Sequence, residues 1–204
     1  MNVNEVIQHY FYGKGKITNM VDGKIHVDFP DFGQRIFKDD VNVENYLSSH
    51  TREVILDVET QPQYKTIYEA MNAALGTDHK LYLRSYTVIS AKFAIWFPKL
   101  AKEKNGELYP ATRDFLNILS DDYSEIKEIT VHEQSEDPIN IDKEPSYRIV
   151  FAWDTNNTKK YLFCGVYSIA QEESTRRCTV HKRISTRIKL IGSPADSLEI
   201  LNSV

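Results

Sequence analysis

The sequence lacks the features that mark secreted and membrane proteins. Only two cysteines, Cys164 and Cys178, occur in 204 residues, which is typical of a reduced intracellular protein, and we expect both thiols to be free. No window approaches the roughly 18 apolar residues of a transmembrane helix, and no basic segment followed by an apolar run stands at the N-terminus. These absences predict a cytoplasmic protein with no membrane partner.

Catalytic signatures are missing as well. The sequence contains no Walker-type loop, no Gly-x-Ser-x-Gly elbow, no His-Glu-x-x-His motif and no Cys-x-x-Cys pair. The six histidines are scattered, without the i/i+2 or i/i+4 spacing that defines a zinc face. We therefore predict no metal and no cofactor, and we favour a non-catalytic role.

The charge of the whole chain does not favour nucleic-acid binding, because its net charge is −4. DNA or RNA must therefore bind through a local patch, and residues 176–189 supply one that contains no acidic residue. The candidate phosphate-binding residues are Arg176, Arg177, Lys182, Arg183, Arg187 and Lys189. Alternatively, these charges face solvent or neutralise the acidic stretch 121–144.

The first 40 residues have the clearest local pattern. Ile25, Val27 and Phe29 alternate with polar residues, and glycines stand at the turns on either side of this strand. The pattern resembles the Tudor-like small β-barrels of bacterial helicases and transcription-associated factors, and the matching residues are Gly13, Gly15, Ile17, Ile25, Val27, Phe29, Gly33 and Phe37. The resemblance implies a barrel over residues 1–40.

Such barrels bind nucleic acid or protein, and the charge of this one does not decide between them. Nucleic acid would meet the basic surface residues, which are Lys14, Lys16, Lys24 and Arg35. A protein partner would instead use exposed aromatic side chains, namely Tyr10, Phe11 and Tyr12. We therefore expect either a nucleic acid or a protein as the partner of this barrel.

Beyond the barrel, we predict a linker over 41–63 and a larger α+β domain over 64–204. Thr66 and Glu69 form a capping box that predicts a helix ending before Gly76. Residues 115–119 suggest a short helix or turn. Residues 146–153 and 160–169 predict an antiparallel hairpin, followed by one further strand over 178–191.

The hairpin resembles the central strands of the PUA-like family, which includes the EVE and YTH readers of modified bases. Residues 161–167, Tyr-Leu-Phe-Cys-Gly-Val-Tyr, carry this resemblance. It implies a mostly antiparallel sheet with a base pocket, for which the candidates are Trp153, Tyr161 and Tyr167. The alternative is that these aromatic rings are core.

Together these patterns favour a non-catalytic nucleic-acid-binding protein that recognises a modified or flipped base in DNA or RNA. A second hypothesis is a protein-interaction module of a bacterial or phage defence system, docking through the barrel. A third is a metal-dependent nuclease subunit that relies on Asp57 and Glu59, which would share one face of a strand.

Overall fold

Strands dominate the chain. Its computed structural model describes residues 1–9, 12–40, 47–48, 53–60, 62–75, 84–132, 135–142, 144–191 and 198–201. No helix within these ranges is long and apolar enough to span a membrane. In the part of the chain that the structure describes, a single α-helix accompanies a mostly antiparallel set of sheets. The expected fold class, α+β, is therefore too loose a description.

The N-terminal strands form an open sheet. They are β1 (Val6–His9), β2 (Gly13–Val21), β3 (Lys24–Phe29), β4 (Gly33–Lys38) and β5 (Leu47–Ser48). The order is β4-β3-β2-β1-β5, with every neighbouring pair antiparallel, and the sheet does not close on itself. We expected a barrel over residues 1–40. This expectation is wrong in one respect, because the sheet is open.

A small apolar cluster holds this open sheet together. Ile7, Ile17, Ile25, Val27, Phe29 and Leu47 are buried in it. Because β1 and β5 add to the edge beyond β2, the sheet covers these side chains without pairing β4 to β5. The alternating pattern identified Ile25, Val27 and Phe29 correctly as buried, but the sequence pattern carried no signal for β1 or β5.

The larger part contains the helix and the remaining strands. These are β6 (Glu53–Asp57), β7 (Gln63–Tyr64), α1 (Ile67–Leu75), β8 (Tyr86–Val88), β9 (Phe93–Trp96), β10 (Lys102–Lys104), β11 (Glu107–Tyr109), β12 (Phe115–Leu119), β13 (Glu125–Thr130), β14 (Tyr147–Trp153), β15 (Tyr161–Ile169), β16 (Cys178–Ser185), β17 (Arg187–Ile191) and β18 (Leu198–Leu201). Short 3₁₀ turns cover Val58–Thr60 and Gln171–Glu173. The main sheet has the order β12-β13-β16-β15-β14-β9-β8, with β7 beside β15.

The helix begins as the capping residues predict. The Glu69 backbone N–H donates to Thr66 Oγ1 at 3.3 Å, and the Lys65 N–H donates to Glu69 Oε2 at 2.7 Å. Ala70, Met71, Ala74 and Leu75 bury the apolar face of α1. Gly76, the expected helix end, lies outside the described residues.

Three local expectations differ from the structure. Residues 115–119 form strand β12 because they pair with β13 in full register, so the expected helix or turn is wrong. The stretch 178–191 is two strands in different sheets, because the chain bends at Ser185, whose Oγ accepts from the Arg187 N–H at 3.0 Å. Strand β6, within the stretch expected to be a linker, pairs with β17.

The main sheet curls until its two ends meet. After β9, Lys99 bridges to Trp153 on β14, and Leu100 bridges to Asn117 on β12. The Ala101 N–H then donates to the Asn117 carbonyl at 2.8 Å. Because β12 and β8–β9 are at opposite ends of the strand order, this contact gives the sheet an enclosed inner face and an outer face.

Each face has its own apolar core. The inner face carries Trp96, Ile126, Val150, Ala152, Cys164 and Tyr167. The outer face packs against α1, β6 and β17, and its cluster includes Met71, Phe97, Phe151, Phe163 and Ile188. Both cysteines are free thiols, as expected from their number.

A β-bulge at Gly165 determines to which face of the sheet the side chains in the second half of β15 point. In the pairing with β14, Val150 is opposite Gly165 but Phe151 is opposite Phe163, so β15 has one extra residue here, and Gly165 has a φ of +113°. Without this extra residue Tyr167 would point to the outer face. The Gly165 α-carbon also lies so close to β16 that a Cβ there would approach the Ser185 carbonyl oxygen to 2.5 Å.

We expect Gly165→Ala to destabilise the chain by about 3 kcal/mol or more, because the alanine would be strained at this φ and would also clash with backbone. Urea unfolding followed by circular dichroism measures the change. Ser168→Ala, on the same strand, is the matched control and should change stability by less than about 0.5 kcal/mol. Equal stability of the two variants would contradict the role given to the bulge.

Candidate functional site

A cavity of about 1060 Å³ opens at the point where the curled sheet closes. Its outer region is lined by residues 65–68 at the start of α1, together with Phe97, Trp153 and Tyr161. Its inner region is lined by Tyr86, Trp96, Asn117, Glu128, Arg148, Thr179 and His181. Ligand pockets usually measure roughly 300–1,000 Å³, so this cavity is large enough for a small molecule or a nucleotide.

A row of polar side chains crosses the inner wall. Asn117 on β12 is directly opposite Glu128 on β13, and Glu128 is directly opposite Thr179 on β16. Directly opposed residues on one sheet face have Cβ atoms about 5 Å apart. His181 is two residues beyond Thr179 on the same strand, which places it diagonally next to Glu128.

Two of these side chains are buried without satisfying their hydrogen-bonding atoms. Asn117 is 4% exposed and His181 is 3% exposed. The Asn117 amide donates to the Lys99 carbonyl at 3.1 Å, but its Oδ1 and both ring nitrogens of His181 have no partner in the part of the chain that the structure describes. Such atoms are rare in folded proteins and call for a specific explanation.

Glu128 presents a half-buried carboxylate to the same wall. No side-chain hydrogen bond to it is found among the described residues. Burial raises the pKa of Glu128 to about 7, against the opposing effect of the nearby Arg148 guanidinium. Glu128 is therefore a hydrogen-bond acceptor that a ligand can reach.

Arg148 is held in place at the edge of this wall. Its Nη2 donates to Glu144 Oε2 at 3.1 Å, and the Tyr86 hydroxyl donates to the same oxygen at 3.0 Å. The Arg148 guanidinium carbon lies 5.8 Å from the centre of the Tyr86 ring. Burial lowers the pKa of His181 to about 3, with a further contribution from Arg148, so His181 is neutral at physiological pH.

The three predicted pocket residues do not lie together. Trp153 and Tyr161 line the outer region of the cavity, where their rings are 4.9 Å apart. Tyr167 is fully buried in the inner core, and its hydroxyl donates to the Tyr123 carbonyl at 2.5 Å. Its inclusion in a pocket is wrong, because the bulge at Gly165 turns it to the opposite face from Tyr161.

The predicted basic stripe does not form one surface either. Arg177 pairs with Glu136 at 3.3 Å, Lys182 with Glu173 at 2.6 Å and Arg187 with Asp57 at 2.9 Å. Arg183 donates to the Asp122 carbonyl at 3.0 Å, and Lys189 is on β17, in the three-stranded sheet. The alternative reading, neutralisation of the stretch 121–144, therefore describes Arg177 and Lys182 better, since they pair with Glu136 and Glu125. Arg176 remains exposed.

The other candidate residues have simpler outcomes. Lys14, Lys16 and Lys24 are exposed on the N-terminal sheet, whereas Arg35 lies 5.3 Å from the Tyr12 ring centre. Tyr12 stacks on His9 at 4.5 Å instead of standing free for docking. Tyr10 and Phe11 lie outside the described residues.

The proposed nuclease residues are not arranged for metal chemistry. Asp57 forms an ion pair with Arg187 and accepts a hydrogen bond from the Glu59 backbone N–H at 2.9 Å. No group of three metal-binding side chains occurs in the described ranges. The described residues around Asp57 and Glu59 therefore do not form a metal-ligand cluster.

Most of the chain matches a known domain family. Residues 49–190 match the SET and RING associated (SRA) domain. The chain belongs to the SRA domain family. Its fold is accordingly PUA-like, as the resemblance of residues 161–167 implied, and the match begins after β5, so the N-terminal sheet is outside it.

One solved structure similar to this SRA chain is the 5-hydroxymethylcytosine-specific restriction enzyme AbaSI. The TM-score is 0.51 and the sequence identity 25%, over 69% of this chain and 43% of the AbaSI chain. The similarity therefore covers less than half of AbaSI. No curated protein matches the sequence.

The raised pKa of Glu128 gives a test of the inner wall. A buried carboxylate destabilises the folded state above its folded-state pKa of about 7, and this cost disappears as the pH falls towards the unfolded value of 4.5. We expect Glu128→Gln to stabilise the SRA domain at pH 8, with an advantage about 2 kcal/mol smaller at pH 5. Urea unfolding at the two pH values measures it.

Glu125→Gln is the control for this experiment, since Glu125 is on the same strand but on the other face of the sheet and pairs with Lys127 at 3.3 Å. An advantage of Glu128→Gln that stays constant between pH 5 and pH 8 would show that Glu128 does not titrate as a buried carboxylate.

Proposed function

We propose that this SRA chain binds DNA and recognises a cytosine modified by a methyl or hydroxymethyl group, rotated out of the duplex into the inner region of the cavity. SRA domains bind modified cytosine in DNA, and the structurally similar AbaSI is specific for 5-hydroxymethylcytosine. The single observation that carries the proposal is the Glu128 carboxylate, which faces the cavity without a hydrogen-bond partner in the described residues.

The chemistry of Glu128 suits cytosine. Cytosine presents an exocyclic amino donor at C4, and a Glu or Asp carboxylate is its usual acceptor. Asn117 Oδ1, directly across from Glu128, is a second unpaired acceptor. Since the cytosine amino group has two hydrogens, the two side chains together would select it over a thymine, which has an acceptor at that position.

The position of Glu128 explains why the base would leave the duplex. The side chain is half-buried inside the curled sheet, so it cannot reach a base that is stacked within a helix. Two aromatic residues on the wall, Tyr86 and Trp96, supply apolar surface for the flat base. The energy of unstacking would be offset by these contacts.

Phosphate contacts would come from the cavity rim and not from the predicted basic stripe. Lys65 and Lys99 line the cavity and are exposed. Neither amino group has a partner among the described residues, whereas three of the stripe cations are already paired with carboxylates. A free rim lysine releases counterions on binding, which an internally paired arginine does less effectively.

Binding to matched DNA duplexes tests the proposal. The duplexes differ at one position only, which is cytosine, 5-methylcytosine or 5-hydroxymethylcytosine, and fluorescence anisotropy gives the dissociation constants. We expect at least one modified duplex to bind about tenfold or more tightly than the unmodified duplex at physiological salt. Equal affinity for all three would overturn the proposal.

Glu128→Ala should lose about tenfold in affinity for the modified duplex, because the amino group, which modified and unmodified cytosine share, loses its acceptor. Glu125→Ala is the matched control on the other face of β13. If both variants bind as the unaltered protein does, Glu128 is not the residue that reads the base.

Variants of the rim lysines, Lys65 and Lys99, should change DNA affinity in a different way. We expect Lys65→Ala and Lys99→Ala to weaken binding to modified and unmodified DNA alike, and each to reduce the slope of log K against log salt by about 0.9. Arg187→Ala, which breaks the pair with Asp57, should leave that slope unchanged. A reduced slope in Arg187→Ala, with none in the lysine variants, would return the phosphate contacts to the basic stripe.

A further inference from the structure

The unpaired nitrogens of His181 are a cost that the folded chain carries. Neither ring nitrogen has a partner among the described residues, although the side chain is 3% exposed. A buried polar group without a hydrogen bond destabilises a protein, and a phenylalanine of similar shape would avoid that cost. A polar side chain at this position is therefore better explained by a ligand than by packing.

The chemistry of His181 specifies what such a ligand offers. Because its pKa is lowered to about 3, the ring is neutral and presents one N–H donor and one nitrogen acceptor. A hydroxyl group can pair with either nitrogen, since it can accept from the N–H or donate to the bare nitrogen. A methyl group complements neither and would leave the nitrogens buried and unpaired.

The position of His181 relative to Glu128 says which atom of the base it meets. Glu128 is the proposed acceptor for the amino group at C4 of cytosine, and the 5-substituent is the next group around the ring. Asn117 is directly across from Glu128 on one side, and His181 is diagonal to Glu128 on the other. The order of the side chains then matches the order of the groups on the base.

We infer that His181 contacts the 5-substituent and makes this SRA chain selective for a cytosine with a hydroxyl-bearing 5-substituent over one with a 5-methyl group. The inference rests on the proposed function and assigns its specificity. Asn117 and Glu128 share the amino group, and His181 pairs with the hydroxyl. The Trp96 ring, whose centre is 4.5 Å from that of His181, packs against the imidazole.

The unaltered protein gives the first test. Its affinity is measured for the same duplexes carrying cytosine, 5-methylcytosine or 5-hydroxymethylcytosine. We expect the hydroxymethylated duplex to bind about tenfold more tightly than the methylated one. Equal affinity for these two, or tighter binding of the methylated duplex, overturns the inference even if both exceed cytosine. Failure of the proposed function would look different, because all three would then bind equally.

Two variants assign the preference to His181. His181→Phe keeps a ring against Trp96 but removes both polar atoms, so we expect the preference for the hydroxymethylated over the methylated duplex to fall below about twofold. His181→Gln keeps a donor and an acceptor and should retain part of the preference. An unchanged preference in His181→Phe would overturn the assignment.

Stability separates this role from a structural one. Urea unfolding of His181→Phe without DNA should show stability equal to or above that of the unaltered protein, because two unpaired nitrogens are removed. A loss of stability together with an equal loss of affinity for all three duplexes would show that His181 supports the fold, and would overturn the inference.

Discussion

Asn117 holds the curled sheet closed, and the site depends on that closure. Its carbonyl accepts from the Ala101 N–H and its amide donates to the Lys99 carbonyl, so one residue joins β12 to the chain that leaves β9. The Thr155 hydroxyl donates to the neighbouring Leu100 carbonyl at 2.6 Å and supports the same joint. A flat sheet would leave Glu128 and His181 in water, where their hydrogen bonds would be satisfied. In the closed sheet these side chains lie in the cavity wall, where a bound ligand can supply their hydrogen bonds.

Burial and charge then give each polar group a defined state. Arg148 is anchored by Glu144, and its positive charge opposes protonation of His181 while favouring ionisation of Glu128. The wall therefore contains a neutral imidazole beside a carboxylate that titrates near neutral pH. The imidazole offers one donor and one acceptor, and the ionised carboxylate offers acceptors only. Together they suit the edge of a base, which has both donors and acceptors.

Local signals predicted the elements whose cause is local. Thr66 and Glu69 predicted the start of the helix, and the alternation of Ile25, Val27 and Phe29 predicted their burial. The PUA-like fold and the reading of a base followed from residues 161–167. The bulge at Gly165 and the bend at Ser185 depend on pairing with distant strands, so the sequence pattern grouped Tyr167 with Tyr161 and joined two strands into one.

The inner wall was missed for a related reason. Glu128 stands in an acidic stretch that favours a solvated surface, and His181 stands in a basic one, so composition hides both. Arg148 was the available signal, because it is a lone charge among the apolar residues of β14. A charge within a buried strand needs a partner or a polar cavity beside it, and Arg148 has both. Polar residues inside apolar strands are therefore better guides to a base-binding wall than aromatic residues, which any core requires.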